Sequence, residues 1–164
     1  MTGFTKGSGS RRRVAALVVA AAVLTSTACG GDAVRSDESG EVTQAGDVDV
    51  FELSVGDCLE ERAEGTVTDV QVIPCSEEHD QEVYAEFSLP DGEWAGQEAT
   101  EVAVEEGCYD RFADFVGVAY EESELDFAYV MPTEESWADG DRVVHCTVFD
   151  SAGPVTGSLA DAGR

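Results

Sequence analysis

The chain has 164 residues, with 35 acids against nine bases and a formal net charge of −26. That length holds one domain with short flanking segments, and 43% hydrophobic residues suffice for a core. So acidic a surface repels phosphate backbones and anionic lipid headgroups, which excludes nucleic-acid binding and electrostatic docking to a membrane.

The first 28 residues carry Lys6, Arg11, Arg12 and Arg13, no acid, and an apolar run from Val14 to Leu24. As a helix that run rises about 16 Å, far short of the ~30 Å hydrocarbon core, so it has the proportions of an export signal rather than a membrane span. The small residues Thr25-Ser26-Thr27-Ala28 before Cys29 resemble a bacterial lipobox, in which the cysteine is acylated, as with palmitate, and becomes the mature N-terminus. Ser26 stands where that pattern usually has Leu, which leaves open an ordinary secretory cut after Ala28. Residues 1–28 are thus read as a lipoprotein signal peptide.

All 35 acids lie beyond residue 28, facing Arg35, Arg62, Arg111, Arg142 and Arg164, so the mature chain has a net charge of 5 − 35 = −30. With electrostatic docking excluded, the expected membrane partner is reached through acyl chains on Cys29. One chain binds a bilayer marginally, whereas two or more anchor firmly. The expected location is the extracytoplasmic face of the cell membrane.

Residues 29–49 have no aromatic and no apolar periodicity, and they are expected to form a disordered acidic tether. Residues 50–164 form the folded domain. Val50 to Leu53 is strand-like and leads into a turn at Gly56-Asp57; Thr66 to Ile73 is rich in β-branched residues and reads as a strand. Glu82 to Leu89 alternates, with Val83, Ala85, Phe87 and Leu89 on one face. Pro90-Asp91-Gly92 ends that strand. From about Ala95 the period becomes helical, through Val104, Cys108, Phe112 and Phe115, until Gly117 supplies a stop. Strands are expected over Asp126–Met131 and Arg142–Phe149, with Thr133 capping a short helical turn between them. The fold class is α+β: a small antiparallel sheet packed on one long helix.

Setting Cys29 aside leaves Cys58, Cys75, Cys108 and Cys146, an even set that reads as two disulfides in an exported domain. Four cysteines allow three pairings, and sequence alone selects none. If the Val144-Cys146-Val148 face meets the helix, Cys146 falls within reach of Cys108. The favoured pairing is therefore Cys58 with Cys75 and Cys108 with Cys146.

Catalytic signatures are sparse. No G-x-S-x-G elbow and no H-E-x-x-H motif occurs, the cysteines are better explained as cystines, and no motif calls for a cofactor or a metal. His79 lies among acids and reads as a metal ligand or, more simply, as a solvated or turn-stabilising histidine. His145 alternates with Cys146 and is expected to point away from the core. Asp139-Gly140-Asp141 is a fragment of a calcium loop without its remaining ligands, and reads as a turn. Trp94 and Trp137 form either a sugar-stacking platform or, for Trp137, a core anchor.

Four stretches, VGDC at 55–58, PCSEEHDQEVYA at 74–85, PTEESWADGDRVVHC at 132–146 and the terminal GPVTGSLADAGR, together resemble the septum-formation domain found in exported lipoproteins and membrane-anchored proteins of high-GC Gram-positive bacteria. The resemblance spans essentially all of residues 50–164. It implies a role near cell division and envelope assembly, with no enzymatic activity and no catalytic residues to carry across. The expectation is a non-enzymatic, lipid-anchored protein with unknown envelope or division proteins as partners, and His79, Trp94, Trp137 and Asp139 as exposed binding candidates. The alternative is a surface lipoprotein that binds a cation or another ligand through its acid clusters.

Self-repulsion among so many carboxylates predicts a domain that salt stabilises, because the Debye length falls from ~10 Å at about 0.1 M to ~3 Å at about 1 M. Thermal unfolding across that range should give a rising midpoint, and a flat or falling one contradicts the reading.

Overall fold

The computed structural model describes residues 31–60 and 67–164. Three short strands come first: β1 (Val34–Arg35), β2 (Val42–Gln44) and β3 (Gly46–Asp49). A 3₁₀ turn at Val50–Glu52 follows, capped by the Asp49 carboxylate, which accepts from the Phe51 amide at 2.9 Å. Next come β4 (Cys58–Leu59), β5 (Asp69–Ile73), β6 (Glu78–His79), β7 (Gln81–Ser88) and the 20-residue helix α1 (Gln97–Val116). A 3₁₀ turn at Tyr120–Glu122, β8 (Leu125–Val130), the five-residue α2 (Glu134–Ala138), β9 (Val143–Asp150) and β10 (Val155–Thr156) complete the order.

Six strands form one antiparallel sheet in the order β3-β5-β4-β7-β9-β8. α1 covers one face. It buries a stripe at four-residue spacing, Thr100, Val104, Cys108, Phe112 and Val116, and ends where Gly117 adopts φ 90° and returns its amide to Ala113. The stripe meets Val144, Cys146 and Val148 of β9, so the α+β expectation of a sheet on one long helix holds. Both favoured disulfides are present: Cys108–Cys146 joins α1 to β9, and Cys58–Cys75 closes the shorter loop. Their sequence separations of 38 and 17 correspond to about 4 and 3 kcal/mol of lost unfolded-state entropy.

A single irregularity in β7 supplies both faces of the sheet. The pairing with β9 runs Glu82 to Val148 and Val83 to Thr147, then slips past Tyr84 so that Ala85 meets Cys146 and Phe87 meets Val144. This bulge changes the expected alternation: Val83 belongs to the second face, while Tyr84 turns toward α1, where its hydroxyl donates to the Cys108 carbonyl at 2.7 Å.

Two expectations are corrected here. Residues 31–49 are not a disordered tether but part of the domain: β3 extends the sheet along β5, and Val42 and Val48 pack with Val50, Leu53, Val70, Val72 and Val83 into a second core. Cys29 itself lies outside the described residues. The Asp47 amide also bonds the Gly31 carbonyl at 3.1 Å, an approach that a side chain at Gly46 would block by striking the 31–33 backbone. Arg35 locks this layer to the turn before β4 with a two-pronged pair to Asp57, at 2.5 and 2.7 Å. The hydrogen bond to Asp57 is the leading cause of a raised Arg35 pKa; burial opposes it, and the charges of Asp57 and Glu52 add to it. The second correction is that Val50 to Leu53, expected as a strand, forms the 3₁₀ turn, because the Asp49 side chain captures the Phe51 amide before a ladder can. Among the described residues no helix is long and apolar enough to cross a membrane.

The bulge also leaves Glu82 on the helix side, 1% exposed, where it accepts from Ser158 Oγ at 2.7 Å and from the Leu159 amide at 2.5 Å. Burial is the leading influence on this carboxyl and raises its pKa above 4.5, against those two bonds and His79. Folding therefore favours the protonated acid. This contribution to stability is fully present below pH 4.5 and is lost as pH rises through the elevated folded value. Urea unfolding at pH ~4.5 and ~7 should show a smaller fall in stability for Glu82→Gln than for the wild type; equal falls contradict the assignment.

Candidate functional site

The outward side of α1 is not uniformly polar. Val102, Glu105, Glu106 and Tyr109 follow one another at helical spacing and form one wall of a recess of about 590 Å³; Tyr120, Asp126, Phe127 and Tyr129 form the other. β8 supplies three of these, and two of them, Phe127 and Tyr129, lie opposite Val148 and Cys146 and point to the helix side of the sheet. The rings interlock edge to face: Tyr109 with Tyr120 at 5.9 Å, Tyr120 with Phe127 at 5.1 Å and Tyr120 with Phe112 at 5.3 Å. Val102 is 60% exposed and Tyr109 42%, so the apolar surface is open to a partner.

Each tyrosine hydroxyl donates to a carboxylate: Tyr109 to Glu121, Tyr120 to Asp126 at 2.8 Å and Tyr129 to Glu101 at 3.1 Å. For Tyr109 and Tyr120 that bond is the leading cause of a raised pKa. For Tyr129 burial leads and Glu101 adds, pushing it up to about 12. The phenols thus stay neutral. Among the described residues no base lines the recess. Aromatic faces surrounded by carboxylates attract a cation by ring quadrupole and by direct charge, a preference shared by ammonium and guanidinium groups. β8 is also the last strand of the sheet, and among the described residues nothing pairs with its outer side. Such an edge offers unpaired backbone groups to an added strand.

The residues singled out from sequence lie elsewhere. His79 is corrected: it is not solvated but 1% exposed, because β10 pairs across β6 and places Val155 opposite it. Its Nδ1 lies 3.0 Å from the Glu77 carbonyl oxygen. Ligand atoms of His79, Glu82 and Cys58 converge within 4.8 Å, but Cys58 is bonded to Cys75, so two donors remain and the cluster does not fit a structural metal. His145 is corrected as well. It points away from α1 yet is 2% exposed, since the N-terminal layer covers that face too.

Trp94 and Trp137 do meet, at 5.3 Å and 64° between planes, which is an edge-to-face pair and not a flat stacking platform. Arg142 covers a Trp137 face at 3.6 Å, and Trp137 Nε1 donates to the Gly92 carbonyl at 3.0 Å while the ring packs on the main core, as an anchor would. Asp139 is exposed at the C-cap of α2. None of the four joins the recess. Tyr109, Tyr120, Tyr129 and Glu101 were missed, although Val102, Glu105, Glu106 and Tyr109 carry a readable helical stripe; their partners across the recess come from a strand whose placement the stripe does not encode.

No curated protein and no solved structure matches the chain. A family model described as Septum formation matches residues 23–162, thereby including the whole described domain except its last two residues. The chain therefore belongs to the Septum formation family, which supports a role in division or the cell envelope.

Proposed function

We propose that this is a non-enzymatic lipoprotein, acylated at Cys29 and held on the extracytoplasmic face of the cell membrane, whose domain docks a basic segment of an envelope or division protein. The observation that carries this reading is the coincidence of an unpaired strand edge with an acid-surrounded aromatic recess. An extended segment laid along β8 would direct alternate side chains into the recess, so lysines or arginines at every second position would stack on Tyr109, Tyr120 and Tyr129 while their charges face Glu101, Glu105 and Asp126. Backbone pairing supplies adhesion, and the cations supply selectivity. Lipidation restricts the search for such a partner to the membrane surface.

Two measurements test the two halves. Membrane fractionation should find the wild type with the membrane and Cys29→Ala released from it; retention of the variant contradicts the anchor. Fluorescence anisotropy with a labelled peptide alternating Lys and Val should give saturable binding that weakens about tenfold or more in the Glu105→Lys/Glu106→Lys variant, while a Glu-Val peptide does not bind. Equal binding of the two peptides, or binding untouched by charge reversal, contradicts the docking site.

A further inference from the structure

The Cys58–Cys75 disulfide lies against two buried side chains with metal-binding chemistry. Cys58 stands directly opposite Glu82 in the pairing of β4 with β7, and His79 ends β6 three residues before Glu82. Ligand atoms of the three lie within 4.8 Å of one another, and each residue is at most 1% exposed. The Cys75 sulfur, bonded to that of Cys58, brings a fourth donor to the same point. While the S–S bond is intact neither sulfur is a thiolate, the form that binds metal, so the oxidised cluster offers only His79 and Glu82.

Both side chains are oriented as ligands would be. His79 Nδ1 lies 3.0 Å from the Glu77 carbonyl oxygen, which can only accept, so Nδ1 carries a proton and the neutral ring presents its lone pair at Nε2. That Nε2 is buried and has no hydrogen-bond partner among the described residues. A backbone carbonyl on the other ring nitrogen is the outer-shell contact that orients metal-binding histidines. The Glu82 oxygens accept from Ser158 Oγ at 2.7 Å and from the Leu159 amide at 2.5 Å, one bond each, which aims the carboxylate and leaves a lone pair on each oxygen. Backbone bonds hold the two cysteines independently of their sulfurs: Cys58 pairs between β5 and β7, and the Cys75 carbonyl accepts from the Gly157 amide at 2.6 Å. Opening the disulfide therefore frees two thiols without releasing either residue from its place.

We propose that reduction of Cys58–Cys75 turns this cluster into a zinc site with Cys58, Cys75, His79 and Glu82 as its four ligands. Two thiolates, an imidazole and a carboxylate are the donor types and the donor number of tetrahedral zinc. A dithiol reductant supplies two electrons and two protons: the S–S bond breaks, Cys58 and Cys75 become thiols, and the reductant closes its own disulfide. Zinc then displaces both thiol protons. Cys75 is the point of entry. It is partly exposed and, with Glu82, lines a recess of about 780 Å³, whereas Cys108 and Cys146 are both 0% exposed, so the reductant reaches Cys58–Cys75 first. The site does not depend on the docking of a basic segment along β8.

The full chain carrying Cys29→Ala has no thiols outside the two cystines. Treatment with dithiothreitol should open Cys58–Cys75 while Cys108–Cys146 stays closed by mass mapping; the reverse order contradicts the proposal. After the reductant is removed under nitrogen and zinc chloride is added, native mass spectrometry should find one zinc per reduced chain and none on the oxidised chain at the same concentration. Equal loading of both overturns the site. The chain has two histidines, so ring carbon-proton NMR signals separate a built site from a bare dithiol: zinc should move His79 and leave His145 in place, and an unmoved His79 overturns the ligand set. In competition with a chelating dye, His79→Gln should weaken zinc binding about tenfold or more, and unchanged affinity overturns it as well.

Discussion

The pairing of β7 with β9 is the constraint on which the remaining structure depends. These two central strands are covered on both faces, by α1 on one and by the N-terminal layer on the other. The bulge at Tyr84 makes that possible, because it shifts the phase of β7 midway: the segment before it feeds Val83 to one core, and the segment after it feeds Ala85 to the other. The same shift leaves Glu82 facing the helix side, where the C-terminal Ser158 and Leu159 satisfy it. A disulfide then fixes β9 to α1 at Cys146, the residue opposite Ala85.

The distribution of charge follows a similar logic. Of the five arginines beyond residue 28, four lie among the described residues, and each is occupied internally. Arg35 pairs with Asp57, Arg111 lies 4.4 Å over Phe87, Arg142 covers Trp137, and Arg164 bonds Asp150 at 2.7 Å. These four bases thereby brace the fold, and among the described acids all but the buried Asp57 and Glu82 are left at least partly at the surface. That division gives a surface of one sign on which the recess between α1 and β8 combines carboxylates with apolar walls. On the proposed function, selectivity for a cationic partner comes from the whole surface, and shape comes from the recess.

The longer elements were legible because each carries a strong local period. Val104, Cys108 and Phe112 mark one helix face, Val144, Cys146 and Val148 mark one strand face, and together they place the Cys108–Cys146 bond. What escaped was structure held by long-range pairing. β3 contributes one buried valine, Val48, to a four-residue strand, and its stability comes from Val70 and Val72 on β5, which no local pattern announces. The burial of His79 and His145 was hidden for the same reason: each faces a layer supplied from a distant part of the chain. The aromatic recess was half visible, since the helical stripe at Val102 and Tyr109 is local and the Tyr129 wall is not.

The fold rests on a sheet covered from both sides, with residues 31–49 as part of the folded unit. Native-state amide hydrogen exchange measures this most directly. The amide of Val50, bonded to the Thr68 carbonyl at 2.9 Å, and that of Asp47 should open with free energies approaching those of β9. Exchange of both at the rate of an unstructured peptide, with β9 still protected, would contradict the two-sided sheet.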